Sequence, residues 1–221
     1  GNDTLNGSFG NDTYIFNLGD GQDIIYEGNV GNDAGNDTLQ FGTGITKEDL
    51  IIKTHANDLV IALKEDGVEF DNLANKITIQ SWYRSYKRIE NFTFIDDAEA
   101  SMNVSDIISS MGYETNDSIR GTELNDTLIG NTGNDILEGG IGSDTYIFNI
   151  GDGKDTIVES YDSNSTWTDT ISFGEGITVN DLVFEADGAN LKVGIKEDGK
   201  EFLELADTIT ISNAFNTVYQ I

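Results

Sequence analysis

Single apolar side chains recur at a nine-residue step in the middle of this chain. Ile119, Leu128, Leu137 and Tyr146 each stand two places after an aspartate, namely Asp117, Asp126, Asp135 and Asp144. The residues between them are polar and rich in glycine. Such a unit divides into about six residues of turn and three of strand, and at about 3.3 Å per residue the strand is a short rung. The apolar residue points inward and stacks on the rungs above and below. Asp3 and Asp12 repeat the step near the start. Elsewhere the pattern changes to alternation. Leu59-Val60-Ile61-Ala62-Leu63 and Lys76-Ile77-Thr78-Ile79-Gln80 read as strands, with Asp66-Gly67 between them as a hairpin turn. Phe92-Thr93-Phe94-Ile95 reads as one more strand. Ser105 to Met111 reads as a short helix, with Ser or Asn at its start and Gly112 after it.

The polar half of the unit carries the chemistry. Gly133-Asn134-Asp135 and Gly142-Ser143-Asp144 fit the pattern G-G-x-G-x-D-x-U-x. Glycine suits a turn whose backbone must take positive φ and approach a metal closely. Calcium is a hard cation that takes roughly six to eight oxygens at about 2.3–2.6 Å. Turn carbonyls and the aspartate carboxylate would supply them. One turn offers half a shell, and the next turn on the same side offers the rest, so sites form only when repeats stack. The candidate carboxylate ligands are Asp3, Asp12, Asp23, Asp37, Asp117, Asp126, Asp135, Asp144, Asp155 and Asp169. The candidate turn positions are Gly1, Gly10, Gly21, Asn131, Gly133, Gly140, Gly142 and Gly153. The bland alternative, generic Gly-Asn-Asp loops, accounts for the composition but not for the spacing. Some turns depart from the pattern. Gly7-Ser8-Phe9-Gly10 lacks the double glycine, residues 121–126 have Leu124 in place of the inner glycine, and residues 114–117 have no glycine. These turns are expected to bind more weakly or to mark the beginning of the roll. Of Gly31-Asn32-Asp33 and Gly35-Asn36-Asp37, the second is preferred as part of the series.

That preference rests on an internal duplication. Residues 133–215 repeat residues 1–83 at a constant offset of 132 without a gap, with about 40 identical positions. Asp12-Thr13-Tyr14-Ile15-Phe16-Asn17 matches Asp144-Thr145-Tyr146-Ile147-Phe148-Asn149, and Asp37 matches Asp169. Each copy runs in the same order: nonapeptides, a looser turn, a loop, and alternating strands that cap the open end of the roll. The expected domains are a first module with its cap and connector over 1–112 and a second over 113–221. Both ends read as cut from a longer protein.

Composition sharpens this reading. The formal net charge is −28, from 40 acidic and 12 basic residues, so a metal-free chain should repel itself and resist collapse. That charge argues against nucleic acid and against unassisted binding to anionic membranes. No apolar run approaches 18 residues, so no direct membrane insertion is expected. Cysteine is absent, which removes disulfides and thiolate metal sites. Proline is absent where ordinary usage of about 5% would give roughly eleven, so no folding step waits on X-Pro isomerisation. No catalytic constellation emerges, and no enzyme activity is expected. His55 is the only histidine and has neither nucleophile nor HExxH partner; it reads as a surface residue. Trp82 to Arg88 interleaves aromatics with bases, which could mark a nucleic-acid or glycan surface but reads as packing between cap and connector. The paired acids in Lys64–Gly67 and Lys196–Gly199 read as solvated turns.

These motifs resemble the RTX, or haemolysin-type, calcium-binding family. D-T-Y-x-F-x-x-G-D-G-x-D at Asp12 to Asp23 and Asp144 to Asp155 resembles the related domain that follows such repeats. So does G-x-G-I-x-x-x-D-L at Gly42 to Leu50 and Gly174 to Leu182. The arrangement is similar to the repeat region of iron-regulated, FrpC-type RTX proteins and related RTX toxins. The resemblance implies an all-β fold of tandem parallel β-rolls, each capped by hairpin strands, with a short connecting helix and several bound calcium ions. It also implies a secreted or bacterial cell-surface protein, exported unfolded by a type I secretion apparatus and folded outside by calcium. The family's export signal is not evident at Asn216 to Ile221, and a cleavable Asp-Pro bond is excluded by the lack of proline. Two further readings stay open. One is an adhesin segment whose loops at 28–36 and 160–168, with Tyr161 and Trp167, meet a host-surface ligand. The other is the C-terminal region of a secreted lipase or protease.

Overall fold

Each nine-residue unit makes half a turn of a roll, so successive strands fall alternately on two parallel sheets. The computed structural model describes residues 1–27, 35–159 and 167–215. The chain divides into two units, Gly1–Ile107 and Ile108–Ile221. The first holds β1 (Thr4–Leu5), β2 (Thr13–Phe16), β3 (Gln22–Ile25), β4 (Thr38–Phe41), β5 (Leu50–His55), β6 (Asp58–Leu63), β7 (Lys76–Ile79), β8 (Asn91–Phe94) and β9 (Asp97–Asn103). Helix α1 (Val104–Ser109) contains the dividing point. The second holds β10 (Ser118–Arg120), β11 (Thr127–Ile129), β12 (Ile136–Glu138), β13 (Thr145–Phe148), β14 (Lys154–Ile157), β15 (Thr170–Phe173), β16 (Leu182–Asp187), β17 (Asn190–Ile195) and β18 (Thr208–Ile211).

In the first unit the sheets run β1-β3-β7-β6-β5 and β2-β4-β8-β9; in the second, β10-β12-β14-β18-β17-β16 and β11-β13-β15. The rungs are parallel, with Ile119 beside Leu137 and Leu128 beside Tyr146. The all-β architecture of tandem parallel rolls expected from the repeats is therefore the observed one. One side chain faces in from each three-residue rung, and two from the four-residue rungs β2, β4 and β13. Ile119, Leu128, Leu137 and Tyr146 are buried, as are Tyr14, Phe16, Leu39 and Phe41, while Ile136 beside them stays 49% exposed. Phe41 and Phe94, neighbours on paired rungs, stack at 5.1 Å between ring centroids.

The hairpin layer differs in detail from its sequence reading. β7 and β18 are rungs of the roll, parallel to β3 and β14, and also the antiparallel partners of β6 and β17. β6 and β7 are joined by residues 64–75, in which Asp66-Gly67 forms a turn with Gly67 at φ +73°. The tight hairpin is instead β5–β6, turning at Ala56-Asn57 with Ala56 at φ +55°. Thr46 and Asp49 form a capping box on the 3₁₀ turn that starts β5, and Thr178 and Asp181 repeat it before β16. That is the local reason for the G-x-G-I-x-x-x-D-L motif. α1 begins where Asn103 and Asp106 exchange side-chain to backbone hydrogen bonds, at 3.1 and 2.8 Å. Trp82 is fully buried, its indole N–H donating to the Ile89 carbonyl at 3.3 Å, and Arg88 lies over its ring. The ends of the aromatic and basic run, Trp82 and Arg88, are thus core packing, while Arg84, Ser85 and Tyr86 between them are exposed. His55 is exposed at the end of β5.

The inward and outward assignment predicts unequal costs for two neighbouring truncations. Leu128→Ala should cost about 2–5 kcal/mol, and Ile136→Ala no more than about 0.5 kcal/mol, in denaturant unfolding at saturating calcium. Equal losses would contradict the alternation.

Candidate metal centre

The aspartates of the nonapeptides form ladders along the sides of each roll. The Asp117 N–H donates to Asp135 Oδ1 at 2.7 Å, the Asp126 N–H to Asp144 Oδ1 at 2.8 Å, and the Asp135 N–H to Asp155 Oδ1 at 3.0 Å. The Asp144 N–H donates to Asp169 Oδ1 at 2.9 Å. In the first unit the Asp3 N–H meets Asp23 Oδ1 at 2.9 Å and the Asp12 N–H meets Asp37 Oδ1 at 2.8 Å. All ten candidate aspartates therefore belong to these ladders, with Asp37 the partner of Asp12. Asp33 lies outside the described residues.

Each bond uses one carboxylate oxygen and leaves the other to its own turn. There the turns divide into two kinds. Asp117 Oδ2 accepts from the Tyr113 N–H at 2.7 Å, and Asp126 Oδ2 accepts from the Thr122 N–H at 2.5 Å and hydroxyl at 2.9 Å. These two turns have incomplete glycines, as does the turn before Asp12, whose Oδ2 behaves differently. By contrast, Asp12 Oδ2, Asp135 Oδ2 and Asp144 Oδ2 are buried and have no hydrogen-bond partner. An ionised oxygen without a donor is costly to bury, and a hard cation is the partner its chemistry calls for.

The turn glycines shape the surroundings of these oxygens. A Cβ at Gly133, Gly142 or Gly153 would stand 2.5, 2.5 or 2.0 Å from the carbonyl oxygens of Thr115, Leu124 and Gly133. A Cβ at Gly21 or Gly140 would stand 2.6 or 2.4 Å from those of Gly1 and Thr122. The carbonyls of one turn thus lie against the next turn on the same side, where only glycine fits. Gly10, Gly21, Gly140, Gly142 and Gly153 all have positive φ, and Asn131 fills the same role at φ +61°. These residues fit calcium. The aspartate carboxylates and the facing turn carbonyls would hold it, and it would supply the positive charge that stacked carboxylates lack.

Several residues of the site went unread in the sequence. Gly7, Gly130 and Gly139 precede Asp12, Asp135 and Asp144 by five residues, and a Cβ there would stand 2.3, 2.3 and 2.4 Å from the unpartnered Oδ2. The repeated glycine at that step was the available signal. Glu90 Oε2 accepts the Asp37 N–H at 2.8 Å, and Asp207 Oδ1 accepts the Gly153 N–H at 3.0 Å, so both extend the ladders beyond the nonapeptides. Nothing local in the sequence marks them. Tyr14 donates its hydroxyl to Glu27, and Tyr146 donates its own to Glu159. Asp20 and Asp152 serve the turn itself, accepting the N–H of Asn17 at 2.8 Å and of Asn149 at 2.7 Å.

Burial pushes Asp144 and Asp155 up to about 7 and Glu159 up to about 8 in the ion-free protein, with neighbouring carboxylates adding to the rise. It also raises Asp135 and Asp152. Burial, and then the adjacent glutamate, hold the Tyr146 hydroxyl protonated, so it remains a donor.

The RTX calcium-binding nonapeptide repeat (4 copies) matches residues 1–25 and 111–146. No curated protein matches the chain. Among solved structures, the extracellular lipase LipA from Serratia marcescens aligns at 13% identity with a TM-score of 0.30, over 99% of this chain and 37% of its own. The chain therefore spans just over a third of that structure's length. The AlgE6R3 subunit from the Azotobacter vinelandii mannuronan C5-epimerase aligns at 19% identity with a TM-score of 0.16, over 45% of this chain and 72% of its own.

The raised carboxylates have a definite sign. Between their ordinary range, about 4, and about 7, the ion-free fold binds more protons than the unfolded chain, so its stability falls as pH rises through that window. Protons and calcium then compete for the same oxygens. Acidifying the calcium-free chain from about pH 8 to about pH 5 should increase its β signal in far-UV circular dichroism. The calcium midpoint should rise between about pH 8 and pH 6. A midpoint that does not move over that interval would rule this out.

Proposed function

We propose, from the premise that residues 1–25 and 111–146 are RTX calcium-binding repeats, that this chain is a folding module of a secreted exoprotein or toxin. Calcium converts it from an acidic coil to a pair of rolls outside the cell. The observation that carries this reading is the row of buried oxygens on Asp12, Asp135 and Asp144 that no donor meets. A chain of net charge −28 that places carboxylates inside its own turns has little to hold it together until cations enter. Calcium at about 100 times its Kd adds about 2.7 kcal/mol per independent site, so several sites together match the whole stability of an ordinary domain.

The role is structural and calcium is the partner. The ligands assigned are the ten ladder aspartates together with the carbonyl-bearing turns at Gly1, Gly10, Gly21, Asn131, Gly133, Gly140, Gly142 and Gly153. Export through a type I apparatus suits a chain that stays unfolded where calcium is scarce and folds where it is abundant. On this reading the protein works in the extracellular medium or at the bacterial surface. No helix among the described residues is long and apolar enough to cross a membrane. Of the loops that would serve an adhesin, 28–34 and 160–166 lie outside the described residues, and Trp167 is 40% exposed.

Far-UV circular dichroism with and without millimolar calcium tests the reading. The chain should gain its β spectrum cooperatively with calcium and lose it on chelation; a spectrum indifferent to chelator would sink it. The duplication further assigns independent folding to 1–112 and 113–221. The second carries more nonapeptide turns, with ladder pairs 117–135, 126–144, 135–155 and 144–169. Separately expressed halves, followed by emission from Trp82 and Trp167, should fold with the second half at lower calcium. The opposite order would mean that repeat count does not set affinity.

A further inference from the structure

Four places after one late aspartate of each roll stands a glutamate, in a slot that glycine fills after four earlier aspartates and phenylalanine fills after Asp12 and Asp144. The residue four places after the aspartate is Gly7 after Asp3, Gly121 after Asp117, Gly130 after Asp126 and Gly139 after Asp135. After Asp23 and Asp155 it is Glu27 and Glu159. A side chain in this slot points at the carboxylate of the turn it opens. That follows from the Cβ positions at Gly7, Gly130 and Gly139, each 2.3–2.4 Å from an aspartate Oδ2. A glutamate can stand there only if the turn is longer. The interval from slot to aspartate is indeed five residues at Gly139–Asp144 but ten at Glu27–Asp37 and Glu159–Asp169.

The geometry around Glu159 is that of a collected donor set. Carboxylate oxygens of Asp144, Glu159 and Asp169 lie within 4.8 Å of one another. Asp144 is 1% exposed, and its Oδ2 has no hydrogen-bond partner. In the other copy Glu27 is also 1% exposed and its Oε2 has none, nor has Asp12 Oδ2. A tyrosine fixes the arm in both places. The Tyr146 hydroxyl accepts the Gly139 N–H at 2.8 Å and donates to Glu159, while Tyr14 accepts the Gly7 N–H at 2.7 Å and donates to Glu27. Each tyrosine takes the inward position filled elsewhere by leucine or isoleucine, so it ties the glycine slot of one turn to the glutamate slot of the next turn on that side.

We infer that Glu159 joins the ladder pair Asp144 and Asp169 as a ligand of the last cation site of its roll, and that Glu27 does the same for Asp12 and Asp37 in the other copy. Three carboxylates and no nitrogen or sulfur donor select a hard divalent ion, calcium. The glutamate closes the stack: it supplies from a side chain what an aspartate and turn carbonyls supply in the regular turns. This rests on the calcium-folding reading above.

Calcium titration calorimetry on the whole 221-residue chain tests it, with Glu159→Gln, Glu27→Gln and the double variant beside the unaltered chain. Glutamine keeps the shape of the arm and still accepts the tyrosine hydrogen bond. Each single variant should lose one ion, or bind one ion at least tenfold more weakly, with the others unchanged; the double should lose two. Ion count and affinities equal to those of the unaltered chain would overturn the site. If Glu159→Gln fails to fold, circular dichroism over rising calcium decides. Recovery at about tenfold higher calcium supports the site, and no recovery at any concentration assigns Glu159 to packing instead. An unaltered chain that binds no calcium would remove the underlying reading, a result distinct from either.

Discussion

One carboxylate oxygen holding a backbone N–H on the neighbouring turn, while its twin faces no donor, is the constraint from which this architecture follows. The rungs of the second roll's regular part are three residues long, as in β10, β11 and β12, too short to hold a sheet by their own ladders. Their register is set instead at the turns, where Asp135 Oδ1 meets the Asp117 N–H and Asp144 Oδ1 meets the Asp126 N–H. The same contact that aligns the rungs buries the charge. Order and electrostatic cost come from one side chain, and the fold cannot keep the first without a remedy for the second.

The turns at the start of the second roll show what the remedy looks like without a metal. Thr122 gives both its N–H and its hydroxyl to Asp126, and the Tyr113 N–H serves Asp117. One oxygen of each carboxylate, Oδ2, is met from within its own turn. Further along, Asn131 and Gly140 stand in the place of Thr122, and Asp135 Oδ2 and Asp144 Oδ2 meet no donor.

Much of this was legible because the repeat is a physical period. Ile119, Leu128, Leu137 and Tyr146 predicted the inward row, and the offset of 132 singled out Asp37 through its counterpart Asp169; the structure then pairs it with Asp12. What escaped were features with no period. The β5–β6 turn falls at Ala56-Asn57, where no glycine marks unit one's left-handed residue. Glu90 joins the ladder of Asp12 and Asp37 across 53 residues of intervening chain, a pairing that only the three-dimensional fold creates. Glu27 and Glu159 stood in plain view as identical residues of the duplication. Neither the apolar period nor the aspartate period marks them; their only signal is a break in the glycine rule.

The alternation of strands between two sheets gives the roll a parity. Neighbours in a sheet are two units apart, as the 18-residue step from Asp117 to Asp135 shows, and the hairpin layer is attached to only one of the two sheets in each unit. Adding or removing a single nine-residue repeat would send every later strand to the opposite sheet, and the hairpin with it. Only changes in pairs of repeats leave the downstream faces where they were. The smallest neutral increment of length for such a roll is therefore a full coil, and the count of half-coils ahead of the glutamate turn is a quantity that selection can see.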